Sequence, residues 1–457
     1  MRRAAIVMPM RTPVGLPGGA LAAVAPQRLI STVMSAVIGR SGMDPYRIEQ
    51  IVSAVPCSAA VRAAMPLAGL SPDIGEFPIG PGPGSGMRAL ITAAMMVQTG
   101  SADVVLALGA EYPRSKGRPD PASASEPPGA RAARNGNGNG NGNGNGRNGY
   151  GGPDGEKAGG GASPTTGEQV ALWAAVEPAR GQQESDHAEA LAAHYGITRQ
   201  EADEFAAASH RRAARARRQG IFGAETAPVV VTARPGDVNS DVVQLVDRDE
   251  GLRDDVSPRA FAALQPFRPG GVSTVGNSSA RTLAASGCLV VAEERLADLG
   301  LDPMGYLVGW ASATGEFDSV VPAAGIAVDR ALARGNCLLD DLDLVEIDET
   351  SAVDVLALTR SWEREGWDFD PAERLNVHGA AIALGDPGGA AGMRMVTTLL
   401  HELARREGGF GLAATTTGPS QATALVFESA YSTPLAFAPR GARFHGVSRR
   451  RNGKHRA

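Results

Sequence analysis

The residue types that could do chemistry in this chain are three cysteines, seven histidines and the carboxylates. Cys57, Cys288 and Cys337 are scattered, with no Cys-x-x-Cys pairing, so neither a disulfide framework nor a zinc site is supported. Cys57 follows an early strand, Cys288 lies in the apolar run Gly287-Cys288-Leu289-Val290-Val291, and Cys337 falls in a helix–strand loop. Each reads as a core or loop residue.

Such side chains need elements to hold them, and the chain alternates strands with helices. Residues 103–109 read as a buried strand. Before them, 84–100 has helical periodicity, with Met87, Leu90, Ile91 and Ala94 on one stripe. In the second half 343–347 predicts a strand, followed by a helix through Val353, Leu356 and Leu358. A helix over 388–406 leads into a strand at 409–415, and a last strand spans 422–427. The halves echo each other: a Gly-rich turn, a helix opening on Gly86-Met87-Arg88 or Gly392-Met393-Arg394, a glycine, then a strand. Duplication of an α/β unit explains this order. Residues 184–220 are polar and helical, with Thr198 as N-cap, Glu201 completing a capping box, and an end near Gly220. They read as an inserted helical subdomain.

At 457 residues, with 43% hydrophobic and 20% charged residues, the composition is that of a soluble globular protein of two or three domains. No apolar run reaches the roughly 18 residues of a transmembrane helix. The opening Met1-Arg2-Arg3-Ala4-Ala5-Ile6-Val7-Met8 is too short for a signal sequence and reads as a first strand, which implies a cytoplasmic protein. Residues 113–168 are rich in Gly, Asn and Pro and include six consecutive Asn-Gly pairs at 135–146, too little apolar surface to offset the entropy of ordering. Residues 439–457 carry seven of the 44 basic residues and no acid, leaving 37 basic against 49 acidic residues elsewhere. The tail reads as a solvated terminus. An acidic body without a basic stripe argues against nucleic acid as a partner.

Seven blocks, in order, resemble the thiolase family over 5–110 and 184–428. They are Arg11-Thr12-Pro13-Val14-Gly15, Gly84-Ser85-Gly86-Met87-Arg88-Ala89, the helical stretch 195–229, and Val272-Ser273-Thr274-Val275-Gly276-Asn277-Ser278-Ser279. The last three are VEIDETSA (345–352), NVHGAAIALGDPGGAAG (376–392) and GLAATTTGPSQATALVFE (411–428). The resemblance implies an α/β class, a duplicated five-layered α/β/α/β/α fold with an inserted helical loop domain over a coenzyme A site. It divides the chain into an N-terminal half (1–112 and 226–285), a disordered insertion (113–168), the loop domain (169–225), a C-terminal half (286–430) and a basic tail (431–457).

The family uses a cysteine at a buried helix N-terminus, activated by a histidine, as acyl acceptor. A second cysteine moves a proton, and backbone N–H groups with an asparagine-held water stabilise the oxyanion. By the resemblance these positions are Pro83 for the nucleophile, Asp386 for the histidine, Thr416 for the second cysteine and Asp348 for the asparagine, with Glu349 retained. If Asp348 and Asp386 both face one cavity, mutual repulsion raises at least one pKa and leaves a general acid or base usable near neutrality. The competing reading is that each accepts backbone N–H bonds at a loop. Proline suits the first turn of a helix, so the fold survives the loss of the thiol. The resemblance also places His378 near the pocket, where it competes with a reading as a hydrogen-bond donor in a tight turn. It assigns Asn277, Ser279 and Gly418 to thioester binding.

Three functions follow. The first is a non-catalytic, thiolase-like subunit that binds an acyl-CoA or acyl-carrier thioester, as a homodimer or tetramer or with an active partner. The second is an enzyme of cysteine-independent chemistry on a CoA thioester (retro-aldol, dehydration or decarboxylation) using Asp386, Asp348 and His378. The third is an acyltransferase with a relocated nucleophile. No tightly bound cofactor and no metal is expected; coenzyme A thioester is the expected ligand.

Overall fold

The computed structural model describes residues 2–80, 82, 84–112, 182–233, 241–254, 256–315, 323–366, 371–417 and 421–431. The insertion at 113–168, most of the basic tail, Pro83 and Gly418 lie outside them. The strands are β1 (Ala4–Arg11), β2 (Gln50–Ala54), β3 (Gly75–Pro78), β4 (Val104–Glu111), β5 (Val229–Thr232), β6 (Val242–Val246), β7 (Ala284–Ala292), β8 (Gly305–Thr314), β9 (Leu344–Ile347), β10 (Phe410–Thr417) and β11 (Gln421–Ser429). The longer helices are α1 (Pro26–Ser41), α2 (Ser58–Ala64), α3 (Ser85–Thr99), α4 (Gln182–Tyr195), α5 (Arg199–Arg218), α6 (Ala323–Gly335), α7 (Ala352–Arg364) and α8 (Ala391–Arg406).

Nine strands run in the order β3-β2-β4-β7-β1-β8-β11-β10-β9, with β5 and β6 a separate pair. The long sheet is two sheets joined at a narrow seam, where β1 meets β8 through only Ala5↔Tyr306 and Ile6↔Gly305. Each half repeats one pattern. In the first, β2 runs parallel to β4, β4 antiparallel to β7, and β7 antiparallel to β1. In the second, β9 runs parallel to β10, β10 antiparallel to β11, and β11 antiparallel to β8. The duplication read from the glycine-rich turns is therefore present in strand pairing.

Three apolar clusters define five layers. Leu29, Val33 and Val37 of α1, with Val61 of α2, cover the outer face of the first half. Leu90, Ala94 and Val97 of α3 join Met395, Leu399 and Leu403 of α8 between the inner faces, represented by Val105, Ala107, Leu425 and Phe427. Val328 and Leu332 of α6 and Leu358 and Trp362 of α7 cover the outer face of the second half. The central helices meet closely because glycines line their N-terminal turns. A side chain at Gly392 of α8 would press on Met87 of α3, its Cβ 3.2 Å from Met87 N, and one at Gly389 would collide with the Ala54 and Ala110 carbonyl oxygens of β2 and β4, the latter 2.8 Å from a Cβ placed there. The helical subdomain is held by its own core, with Leu191, Tyr195, Ala202 and Ala206 packed on Val353 and Phe261. α5 begins at the expected capping box, Thr198 with Glu201.

β1 runs on through Pro9, beyond the apolar opening of the chain. The register shifts between Val7 and Met10, and Met8 takes a positive φ of 47°. Proline is tolerated at such a bulge because no ladder bond needs its missing N–H. Among the described residues no helix is long and apolar enough to cross a membrane.

Candidate active site

The site is built at the end of β9. Successive side chains of a strand point to opposite faces. Val345 and Ile347 enter the outer core, whereas Leu344 enters the central layer. Glu346 and Asp348 therefore share the inner face with Leu344. Asn376 clamps the strand end from φ 44°. Its Oδ1 accepts Ile347 N–H at 2.8 Å, and its Nδ2 donates to Ile347 O at 3.0 Å and Glu349 Oε1 at 2.9 Å. Glu349 Oε2 accepts from Ser209 Oγ at 2.6 Å and from the Ala380 and Ile382 N–H groups at 3.2 Å each. The glutamate retained from the family pattern thus ties α5, the β9 end and the 380–382 turn together.

Asp348, 1% exposed, has its N–H bonded to Ala414 O at 2.9 Å. Its carboxylate accepts one weak bond, from Thr350 Oγ1 at 3.3 Å, and Oδ1 has no hydrogen-bond partner. Asp386, 8% exposed, accepts Gly388 N–H on Oδ1 at 2.9 Å. Its backbone is fixed by Ala280 O and Thr282 N–H, at 2.7 and 3.0 Å. Burial first, then the charge of Asp386, raises Asp348 from the usual carboxylate range to about 8, with Arg394 pulling the other way. The structure therefore brings Asp348 and Asp386 into electrostatic contact, and one proton is retained on Asp348 at neutral pH.

Beside Asp386 is a partly open cavity of about 30 Å³, lined among others by His210, Arg253, Ser278, Thr282, Leu384 and Gly385; neither aspartate lines it. Several lining groups are buried without hydrogen-bond partners: His210 Nδ1, Ser278 Oγ and Thr282 Oγ1. Burial, and the nearby Arg253, lower His210 to about 3, so its imidazole is neutral. Unpaired buried polar atoms each cost about 1–3 kcal/mol, so they favour a polar occupant. The volume admits roughly one water, so a pantetheine arm requires the 382–385 turn or the 251–254 segment to move. A larger open cleft, about 570 Å³, lies along α1 between Arg28, Thr32, Arg40 and Leu67. It contains none of the candidate residues.

The other expected residues lie as follows. Ser279 is buried with an unpartnered Oγ beside Ser278. Asn277 is spent on the fold: Oδ1 accepts Thr274 N–H at 2.8 Å, and Nδ2 donates to Asp203 Oδ1 at 2.8 Å and Val272 O at 2.9 Å. Thr416 pairs with Ala422 near the end of β10; its side chain, like Pro83 and Gly418, lies outside the described positions. His378 has Nε2 2.8 Å from Glu402 Oε2 and its ring edge-on to Phe222. Glu402 also takes Arg405 and Arg406, and these partners outweigh its burial and hold it well below the usual carboxylate range. It can only accept, so His378 donates from Nε2. Cys288 lies inside β7, where burial pushes its thiol up to about 12.

Sequence reasoning missed His210, Glu346 and Arg394. His210 occupies the buried face of α5 with Ala206, Ala213 and Ala214, a position whose helical spacing was readable. Glu346 was readable as an inward strand position, two residues before Asp348.

Comparison with known proteins agrees with this architecture. The thiolase N-terminal domain model matches 4–124 and 167–294, and the thiolase C-terminal domain model matches 301–429. An acetyl-CoA acetyltransferase of Syntrophomonas wolfei is 32% identical over 435 residues, covering 94% of this chain and 99% of that protein. A probable acetyl-CoA acyltransferase of Staphylococcus aureus is 30% identical, covering 93% of this chain and 99% of that one. The crystal structure of the Bacillus anthracis acetyl-CoA acetyltransferase superposes with a TM-score of 0.73 at 27% identity, over 94% of this chain and 99% of that one. Human mitochondrial 3-ketoacyl-CoA thiolase in complex with CoA shares the fold, with a TM-score of 0.70 at 23% identity over 94% of this chain and 98% of that one. With both domain models matched along nearly its whole length, the chain belongs to the thiolase family.

Proposed function

We propose that this thiolase-family protein binds an acyl-CoA or acyl-carrier thioester and forms no acyl-cysteine, acting as a binding or partner subunit. The observation that carries the reading is the buried Asp348–Asp386 pair. Asp386 stands at the position the resemblance assigns to the activating histidine, and carboxylates disfavour a neighbouring thiolate. The proline at position 83 and the threonine at 416 agree with it. Removing a nucleophile that acts through a covalent intermediate lowers rate on the order of a millionfold. Relatives named for acetyl-CoA, and a solved fold-mate holding CoA, support the ligand class. The unpartnered hydroxyls of Ser278, Ser279 and Thr282 supply polar contacts for the pantetheine arm.

Asp348, retaining its proton at neutral pH, favours a second reading. A neutral carboxylic acid can donate a hydrogen bond where an asparagine amide would, and a carboxylate beside it can accept a proton. This pair would serve proton transfer on a thioester without a covalent intermediate. Intact-mass spectrometry with calorimetry, using acetyl-CoA, acetoacetyl-CoA and free CoA, tests both. Binding with no adduct and no turnover supports the subunit; turnover without adduct, lost in Asp386→Asn, supports proton-transfer chemistry. A stable gain of one acyl group would overturn both.

A further inference from the structure

We infer that Arg394 is a positioning residue for the aspartate pair: its unpaired, buried guanidinium, shared between Glu346 and Asp348, sets which carboxylate holds a proton. The inference deepens the second reading above and rests on it for its catalytic meaning, though not for its physical test.

Arg394 lies in the first turns of α8, is 1% exposed, and has no hydrogen-bond partner on Nε, Nη1 or Nη2. An arginine presents five donors in a fixed fork and cannot shed its charge. Burying such a group with no acceptor is among the costliest arrangements a core can hold. The fork is therefore expected to serve as a fixed charge. α8 packs on β9 and β10 in the central layer. The strand period aims Glu346 and Asp348 into that layer, and register does the same for Thr415. Gly411↔Leu344 through Ala414↔Ile347 are paired in parallel, and Ala413, two residues before Thr415, sits in the inner cluster. Glu346 Oε2, Asp348 Oδ1 and Thr415 Oγ1 all lack hydrogen-bond partners. One unpaired cation and three unpaired oxygen atoms thus share a buried layer with no direct hydrogen bond between them.

The charges acting on each carboxylate are distinct. Asp348 feels Asp386 from the 385–387 turn and Asp354 from α7, both opposing ionisation, with Arg394 favouring it. Glu346 feels Glu349, Glu225 and Glu402, all opposing ionisation, again with Arg394 in favour. Arg394 is the cation common to both. Neutralising it leaves each carboxylate facing only burial and like charge, so both retain their protons to higher pH. Removing Glu346 takes away a like charge two residues along the same face of β9, so Asp348 releases its proton at lower pH.

The test is infrared difference spectroscopy of the full chain, following the protonated-carboxyl C=O band as pH rises, with Asp348→Asn to identify the Asp348 component. Arg394→Met is expected to move that component's midpoint up by at least one pH unit. Arg394→Lys, which keeps the charge, is expected to hold it within about half a unit. Glu346→Gln is expected to move it down, which keeps the inference falsifiable should the methionine variant not fold. An unmoved midpoint in Glu346→Gln, or in a folded Arg394→Met, overturns the inference. Because the band needs no substrate, these shifts without thioester turnover would sustain the inference and remove the catalytic reading. Turnover whose pH profile ignores Arg394→Met would do the reverse.

Discussion

At the scale of single residues, the site is governed by burial acting on carboxylates. Asp348 is raised from an ordinary value of 3.8 to about 8. Its proton is held by the native state and lost by the unfolded chain in between. Below about pH 4 both states are protonated and nothing is lost. As pH rises from about 4 to 8 stability falls, by at most about 1.4 kcal/mol per unit, and above 8 the loss is complete. Asp348→Asn removes this dependence. Urea denaturation at pH 5, 6, 7 and 8 is expected to show the variant gaining on the wild-type chain toward pH 8. Parallel curves would mean that Asp348 is already ionised in the folded state. Asp386→Asn removes only the second cause, so it is expected to lower the Asp348 midpoint without returning it to 3.8, read from the same infrared band. Of these residues, Asp348 and Asp386 were legible from sequence as a pair whose meaning depended on a shared cavity. Arg394 was not, because what marks it is an absence of partners in three dimensions, and His210 was readable only as a buried position on a helix. His378 reads from the sequence either as a site residue or as a structural donor, and in the structure its Nε2 bonds Glu402.

At the scale of elements, strands and helices around the site followed from periodicity because each has one buried face. The helix over 84–100 is found as Ser85–Thr99, and the last strand extends to Gln421–Ser429. The join between halves was less legible: two residue pairs between β1 and β8 leave no pattern in either segment. Thr198→Ala removes half of a capping box at an exposed helix start, so urea unfolding is expected to show a loss of about 1 kcal/mol with an unchanged slope. Gly389→Ala drives a methyl group into two backbone carbonyls that cannot retreat, Ala54 O of β2 and Ala110 O of β4, where the turn before α8 packs on the sheet. It is expected to cost more, about 2–4 kcal/mol, by the same measurement. Equal losses would show that the central layer relaxes more easily than its packing implies.

At the scale of the whole molecule, the long sheet has two unlike ends. β9 is covered on its flank by the bridge Val345↔Leu375 and by the turn Asn376 clamps. β3 pairs only with β2 among the described strands and carries Phe77, 49% exposed. An unpaired edge with an exposed aromatic is a template for another strand, and a closed two-fold pairing of β3 with β3 satisfies it at once in both copies. This is the route by which a binding subunit would associate with itself. The expected outcome is a dimer by light scattering that Phe77→Asp converts to monomer while CoA affinity, measured by calorimetry, changes less than threefold. The choice of aspartate matters, because a charge opposes edge pairing without disturbing a residue that is already half in solvent. If the wild-type chain is monomeric at every concentration, the β3 edge is left for a different chain, which favours the heteromeric arrangement. If the variant stays dimeric, association uses another face and the edge is protected by its own shortness, at four residues.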